Sequence, residues 1–121
     1  MLEAGCGTGA HATVLDDRGF AVSAVEPSKL MRAMARRRFA GRAIALSDGN
    51  PLEGLAFSDR TFDLVFASQV VHGLAPADRQ VFYRESLRVS RGLVVFQDFP
   101  PRSMRHGWPD VYVLETLERS D

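Results

Sequence analysis

The run Met1-Leu2-Glu3-Ala4-Gly5-Cys6-Gly7-Thr8-Gly9-Ala10 passes from apolar residues into three glycines at alternate positions. A short apolar run that stops at a glycine cluster has the shape of a buried strand entering a turn. Glycine lets the backbone turn tightly and lets a ligand approach main-chain atoms with no Cβ in the way. From Thr8 to Arg18, Ala12, Val14 and Leu15 fit a helix, and Gly19 closes it. The start of that helix would offer free N–H groups and a positive dipole end, which suit a carboxylate.

The same alternation repeats along the chain. Phe20 to Val25 reads as a second strand. Pro27 and Ser28 open a helix to about Phe39, with Leu30, Met31 and Met34 at helical spacing. Gly41 ends it, and Arg42 to Leu46 is a third strand. Residues 47 to 61 are rich in turn formers, among them Asp48-Gly49-Asn50-Pro51, Gly54 and Ser58-Asp59. Phe62 to Ala67 is almost wholly apolar, as expected of a strand covered on both faces. Pro76-Ala77-Asp78 starts a helix that Arg91-Gly92 breaks, and Leu93 to Phe99 is a fifth strand. Pro109 followed by Val111, Tyr112, Leu114 and Leu117 predicts a final helix. Strands alternating with helices mean right-handed βαβ units, so the expected fold is one α/β domain over residues 1–121. Its sheet is doubly wound and mainly parallel, of Rossmann-like order 3-2-1-4-5.

In such sheets ligands bind beyond the carboxyl ends of the strands, where the chain order reverses. Three strand ends carry informative residues: Glu3 with its glycine turn, Glu26, and Asp48-Gly49. Glu26 stands 19 positions beyond Gly7, a spacing that suits an acceptor for ribose hydroxyls. Asp48 can accept from an exocyclic adenine amine. Singly, each feature has a plain alternative: a loop-shaping glycine, a packed Cys6, a helix-start Glu26, a turn-forming Asp48. Together they fall in register with three successive strands.

The segments LEAGCGTGAHATVLDDRGF, VSAVEPSKLM, FDLVFASQVVHGL and SLRVSRGLVVFQDF resemble the class I S-adenosylmethionine-dependent methyltransferases. Within them the chain is most similar to the small-molecule group typified by ubiquinone and menaquinone biosynthesis (methyltransferase type 11), over roughly residues 1 to 99. The resemblance implies S-adenosyl-L-methionine as cofactor, with Gly5, Cys6 and Gly7 along its methionine part and Glu3 near its ammonium group. It implies that Glu26 holds both ribose hydroxyls, and that Pro27 and Met31 pack near the adenine. Asp48 would bind the adenine amine, Gly49 would supply backbone contacts, and Ser68 would sit near the amino acid and sulfonium. The sequence departs from the family in three places. Only Met1 and Leu2 precede Glu3, the loop from Asp48 to Phe57 is longer than the usual D-x-x-x-L-P-F spacing, and residues 100 to 121 show no convincing pair of added strands. Relative to the family the fold is expected to be truncated at both ends.

The implied reaction is methyl transfer to an O, N or C nucleophile of a small-molecule acceptor. No residue is assigned a catalytic role. His72 in VVHGL could be a general base near a substrate hydroxyl, and a histidine packed at a helix start is an equal reading. Two rivals stand beside the methyltransferase. One is a module that retains the cofactor without turnover. The other is an NAD-binding dehydrogenase domain, favoured by Gly5, Gly7, Ala10 and Glu26, which satisfy the looser dinucleotide pattern.

Composition narrows the partners. The chain has 121 residues, zero formal net charge and one cysteine, Cys6. Zero balance argues against a nucleic-acid partner, and one cysteine permits no internal disulfide. Arg36-Arg37-Arg38 with Arg32 and Arg42 reads as a solvated helix face, not an RNA-binding patch. No apolar run approaches the ~20 residues that span a bilayer, and no Cys/His/Asp spacing suggests a metal. A cytoplasmic location without membrane contact is the expectation. The fifth strand, Leu93-Val94-Val95-Phe96-Gln97, would form an open apolar edge. Such an edge invites cover by the tail or a homodimer.

Overall fold

The computed structural model describes residues 1–98 and 110–115. Its elements are β1 (Leu2–Ala4), α1 (Ala10–Asp17), β2 (Ser23–Val25), α2 (Lys29–Arg38), β3 (Ala45–Ser47), β4 (Phe62–Ser68), α3 (Pro76–Val89), β5 (Ser90–Asp98) and β6 (Asp110–Glu115). One 3-10 turn, Val71–Gly73, lies between β4 and α3. The sheet order is β3-β2-β1-β4-β5-β6. The first five strands are mutually parallel in the expected order, and β6 runs antiparallel to β5.

Helices cover both faces because successive strand residues point to opposite sides. Leu2, Ala4, Val25, Val65, Ala67, Val94 and Phe96 pack with Phe82 and Val89 of α3. On the other face Ala24 and Val22 pack with Ala12 of α1 and Ala35 and Phe39 at α2. The parity puts Glu3, between Leu2 and Ala4, on the α1 side, where it is 1% exposed. Helix α2 is capped by Ser28, whose hydroxyl accepts the N–H of Met31 at 3.3 Å. The arginine cluster on this side is partly paired: Arg42 bridges Asp16 and Asp17 at the end of α1, and Arg32 meets Asp48.

Two expectations are corrected. Arg91-Gly92 does not separate α3 from its strand: α3 ends at Val89 and β5 begins at Ser90. Gly92 is needed inside β5 because a Cβ there would collide with the carbonyl oxygen of Asp63, beside the register shift between Phe62 and Leu64. The larger correction concerns the tail. Residues 110–115 form a strand, not the start of a helix, with Val94 opposite Leu114 and Phe96 opposite Tyr112. The β-branched and aromatic residues Val111, Tyr112 and Val113 suit a pleated strand, and the open ladder of β5 supplies backbone hydrogen-bond partners for it. The apolar edge of β5 is therefore covered by its own chain, which removes the argument that linked that edge to a homodimer. Leu117 and Trp108 lie outside the described residues.

Candidate functional site

The carboxyl ends of β1, β2, β3 and β4 converge on the glycine turn. Gly5 and Cys6 both donate their N–H groups to the carbonyl of Val25 at the end of β2, at 2.9 and 3.1 Å. This pins the turn across the neighbouring strand. Gly5, Gly7 and Gly9 all adopt positive φ, at 80°, 57° and 91°, a region that penalises a side chain. The three differ in what a Cβ would meet. At Gly9 it would strike Phe39 at 2.5 Å, and at Gly5 it would press on Val70 at 3.0 Å. At Gly7 it would meet no atom of the described residues within 4 Å, so among those residues the space above it is open.

Glu26 is buried, and its carboxylate ties the turn to the next helix. Oε1 accepts the N–H of Gly7 at 2.8 Å, and Oε2 accepts that of Ser28 at 2.7 Å. The 19-residue spacing is thus a direct hydrogen bond across the strand ends. Each carboxylate oxygen keeps a second lone pair for another donor. Arg32 of α2 braces the segment from behind, donating to the carbonyl of Glu26 at 2.8 Å and of Pro27 at 3.3 Å.

Glu3 lies below the turn. Its Oε1 is buried with no hydrogen-bond partner among the described residues. Burial pushes its carboxyl up to about 8, nearby Glu26 adds to the rise, and the backbone N–H of Ala12 opposes it. An acidic group so placed favours its proton, or a cation brought to it. Cys6, buried alongside, has its thiol pushed up to about 12 by burial and by the charges of Glu3 and Glu26, so it is a packed residue rather than a nucleophile.

The remaining sequence-selected residues spread along the same edge. Pro27 and Met31 are exposed at the start of α2. Asp48 follows β3 with its side chain 74% exposed and 3.4 Å from Arg32. Gly49 packs tightly, since a Cβ there would come within 3.1 Å of Val25 and 3.2 Å of Leu55. The hydroxyl of Ser68, at the end of β4, donates to Oε1 of Gln97 on β5 at 3.1 Å. Ser68 is therefore held against β5.

Sequence reasoning missed two residues here. Phe39 fixes Gly9 through a contact 30 positions away, for which the local pattern carries no signal. Asp98 ends β5, is buried, and reaches back to the turn after β4. Its Oδ2 accepts the N–H groups of Val71 and His72 at 2.7 and 3.1 Å, and its Oδ1 meets His72 Nδ1 at 2.8 Å. The sequence cue was present: an acidic residue ending an apolar strand, opposite a histidine at the end of its neighbour. His11 sets its ring against Phe66, and His106 lies outside the described residues. Among the described residues no group of three His, Cys, Asp or Glu side chains could hold a metal ion, and no helix is long and apolar enough to cross a membrane.

A family model described as a methyltransferase domain matches residues 2–96. The malonyl-[acyl-carrier protein] O-methyltransferase of Serratia marcescens is 31% identical over 107 residues, covering 87% of this chain and 40% of that protein. An uncharacterized methyltransferase of Bacillus subtilis, YodH, is 35% identical over 72 residues, covering 59% of this chain and 31% of its own length. Among solved structures, the PH0226 protein of Pyrococcus horikoshii superposes with a TM-score of 0.78 at 27% identity, over 84% of this chain and 46% of that one. The chain spans less than half the length of each of these relatives.

Proposed function

Because the chain belongs to the methyltransferase-domain family, its residues 2–96 matching that model, we propose that it binds S-adenosyl-L-methionine at the carboxyl edge of its sheet. It supports transfer of the methyl group to an O, N or C nucleophile of a small-molecule acceptor. The observation that carries this reading is the Oε1 of Glu3, a buried acceptor with no partner among the described residues. A cationic ammonium brought over the glycine turn supplies the missing charge and donor.

The other residues fit the same ligand. The open space above Gly7 accommodates a methionine backbone, in front of the N–H groups that begin α1. The free lone pairs of Glu26 suit two ribose hydroxyls. Pro27, Met31, Asp48 and Gly49 edge the place for the adenine, and Cys6 and Ser68 close the methionine end. The cofactor, when bound, supplies a methyl already activated on a sulfonium. The chain's own contribution is to orient that methyl and to exclude water. Binding both a carboxylate and an ammonium favours an amino-acid-bearing nucleoside over NAD.

Calorimetric titration tests the proposal with S-adenosylmethionine, S-adenosylhomocysteine and NAD as ligands. Saturable heat with the first two and none with NAD is the expected result. Binding of NAD alone would overturn it. Binding of S-adenosylmethionine with no S-adenosylhomocysteine formed from any acceptor would reduce the function to cofactor retention.

A further inference from the structure

The zero formal net charge is the sum of two unlike regions. Residues 10–42, which carry α1 and α2, hold seven Lys/Arg and three Asp/Glu. Helix α2 itself, Lys29–Arg38, has five basic residues and no acidic one. Among the described residues, the ion pairs of this layer go to Arg32 and Arg42, which meet Asp48, Asp16 and Asp17. Arg36, Arg37 and Arg38 are exposed and take no part in those pairs.

Helix α2 buries Ala35 against the rest of the chain, and Phe39 just beyond its end. The helical repeat sets the opposite, outward face. Leu30, Met34 and Arg37 stand at i, i+4 and i+7 along one line, with Arg36 and Arg38 to either side. That line is apolar where it meets water, Leu30 being 70% and Met34 48% exposed. The helix dipole accounts for basic side chains in the last turn. It does not account for an apolar outer seam that leads into them. Met and Arg are enriched in protein–protein interfaces relative to the rest of the surface. A helix lying on a bilayer instead separates an apolar face, with Trp or Phe among its anchors, from its basic face. In α2 the apolar seam and the arginines share one face, and the helix has no aromatic residue.

We propose that the outward face of α2 docks an acidic helical segment of a partner protein. Carboxylates of that segment meet the guanidinium forks of Arg36, Arg37 and Arg38, and its apolar side chains cover Leu30 and Met34. Helix α2 starts at the carboxyl edge of the sheet and runs back towards the amino edge, so the three arginines stand away from the strand ends assigned to the cofactor. The docking surface is thus separate from that site and does not rest on the cofactor reading.

Titrating the nitrogen-15-labelled chain with a synthetic helical peptide that repeats Glu and Leu on one face tests the proposal. Amide shifts centred on α2 are expected, with affinity falling as salt is added. Arg36→Glu, Arg37→Glu and Arg38→Glu combined should weaken binding on the order of 10-fold or more. The same variant should gain affinity for the peptide with Lys in place of Glu. Leu30→Ser with Met34→Ser should weaken binding by about 10-fold while every charge is kept. Far-UV circular dichroism of both variants is expected to match the wild type; should the arginine variant unfold, the serine pair and the salt dependence decide. Absence of shifts at millimolar peptide, or shifts centred outside α2, overturns the proposal. Equal binding by a peptide with Ser in place of Leu also overturns it, since charge alone would then explain the contact. Binding to vesicles of phosphatidylcholine and phosphatidylserine in equal parts, without binding to the peptide, makes α2 a lipid-surface helix and overturns it. Self-association of the wild type that the arginine variant loses makes the occupant a second copy of this chain, which overturns it as well.

Discussion

Phe39 lies so close to Gly9 that a Cβ on the glycine would stand 2.5 Å from Cε1 and 2.7 Å from Cζ of the ring. The contact joins the start of α1 to the end of α2, and both residues are buried. Gly9 also sits at φ 91°, where an alanine is strained whatever the space around it. Gly9→Ala is expected to destabilise the chain by about 3 kcal/mol, combining left-handed strain of about 1–2 with overpacking of about 1–3. Urea unfolding checks this. Adding Phe39→Leu should recover the overpacking part only, and a double mutant no more stable than Gly9→Ala would show that the ring is not the obstacle.

Much of this architecture could be read from the sequence, because the informative signals are local or strand-spaced. The glycine turn, Glu26 and Asp48-Gly49 each follow an apolar run, and that suffices to place them at strand ends. The spacing from Gly7 to Glu26 emerges as a hydrogen bond of 2.8 Å. What could not be read depends on distant partners. Phe39 reports only its helix, Asp98 only its strand, and neither names the residue it touches. The tail shows the same limit: Val111, Leu114 and Leu117 match a helical repeat, yet the unpaired ladder of β5 makes residues 110–115 a strand.

Glu3 gives a pH dependence with a definite sign. Its carboxyl rises from 4.5 to about 8 on folding, so the folded chain binds more protons than the unfolded one between those values. Stability from this group is fully present below about 4.5 and is lost as pH rises through about 8. The melting temperature of the ligand-free protein should fall across that window, and Glu3→Gln should flatten the fall. A bound ammonium favours the ionised carboxylate, so cofactor binding at pH 7 should release close to one proton. Calorimetry in buffers of different ionisation enthalpy measures that release. Equal proton release by Glu3→Gln and wild type would assign it to another group.

Glu26 serves two neighbours before any ligand arrives, so its removal should be read in two measurements. Glu26→Ala leaves the N–H groups of Gly7 and Ser28 without their acceptor, and a stability loss of about 1–3 kcal/mol is expected from unfolding curves. If the carboxylate also accepts ribose hydroxyls, cofactor affinity should fall by roughly 2–3 kcal/mol, or about 30- to 150-fold. Glu26→Gln keeps one acceptor oxygen and should fall between. Lost stability with unchanged affinity would make the carboxylate a brace of the turn and nothing more.

The tail strand makes a prediction about assembly that runs opposite to the one an open β5 edge suggests. With β6 in place, the ladder of Leu93, Val94, Val95, Phe96 and Gln97 is satisfied within one chain by Glu115, Leu114, Val113, Tyr112 and Val111. Removing residues 110–121 strips that partner and leaves β5 as an apolar edge without proline. Unpaired strands of this kind pair with other chains. The truncated chain should therefore associate more than the full chain, giving larger species in light scattering coupled to gel filtration at matched concentration. A charge placed on the uncovered strand, Val95→Lys, should suppress that association if it proceeds through the edge. A truncated chain smaller in assembly than the full one would reverse the assignment and make β6 the element through which copies of this chain meet.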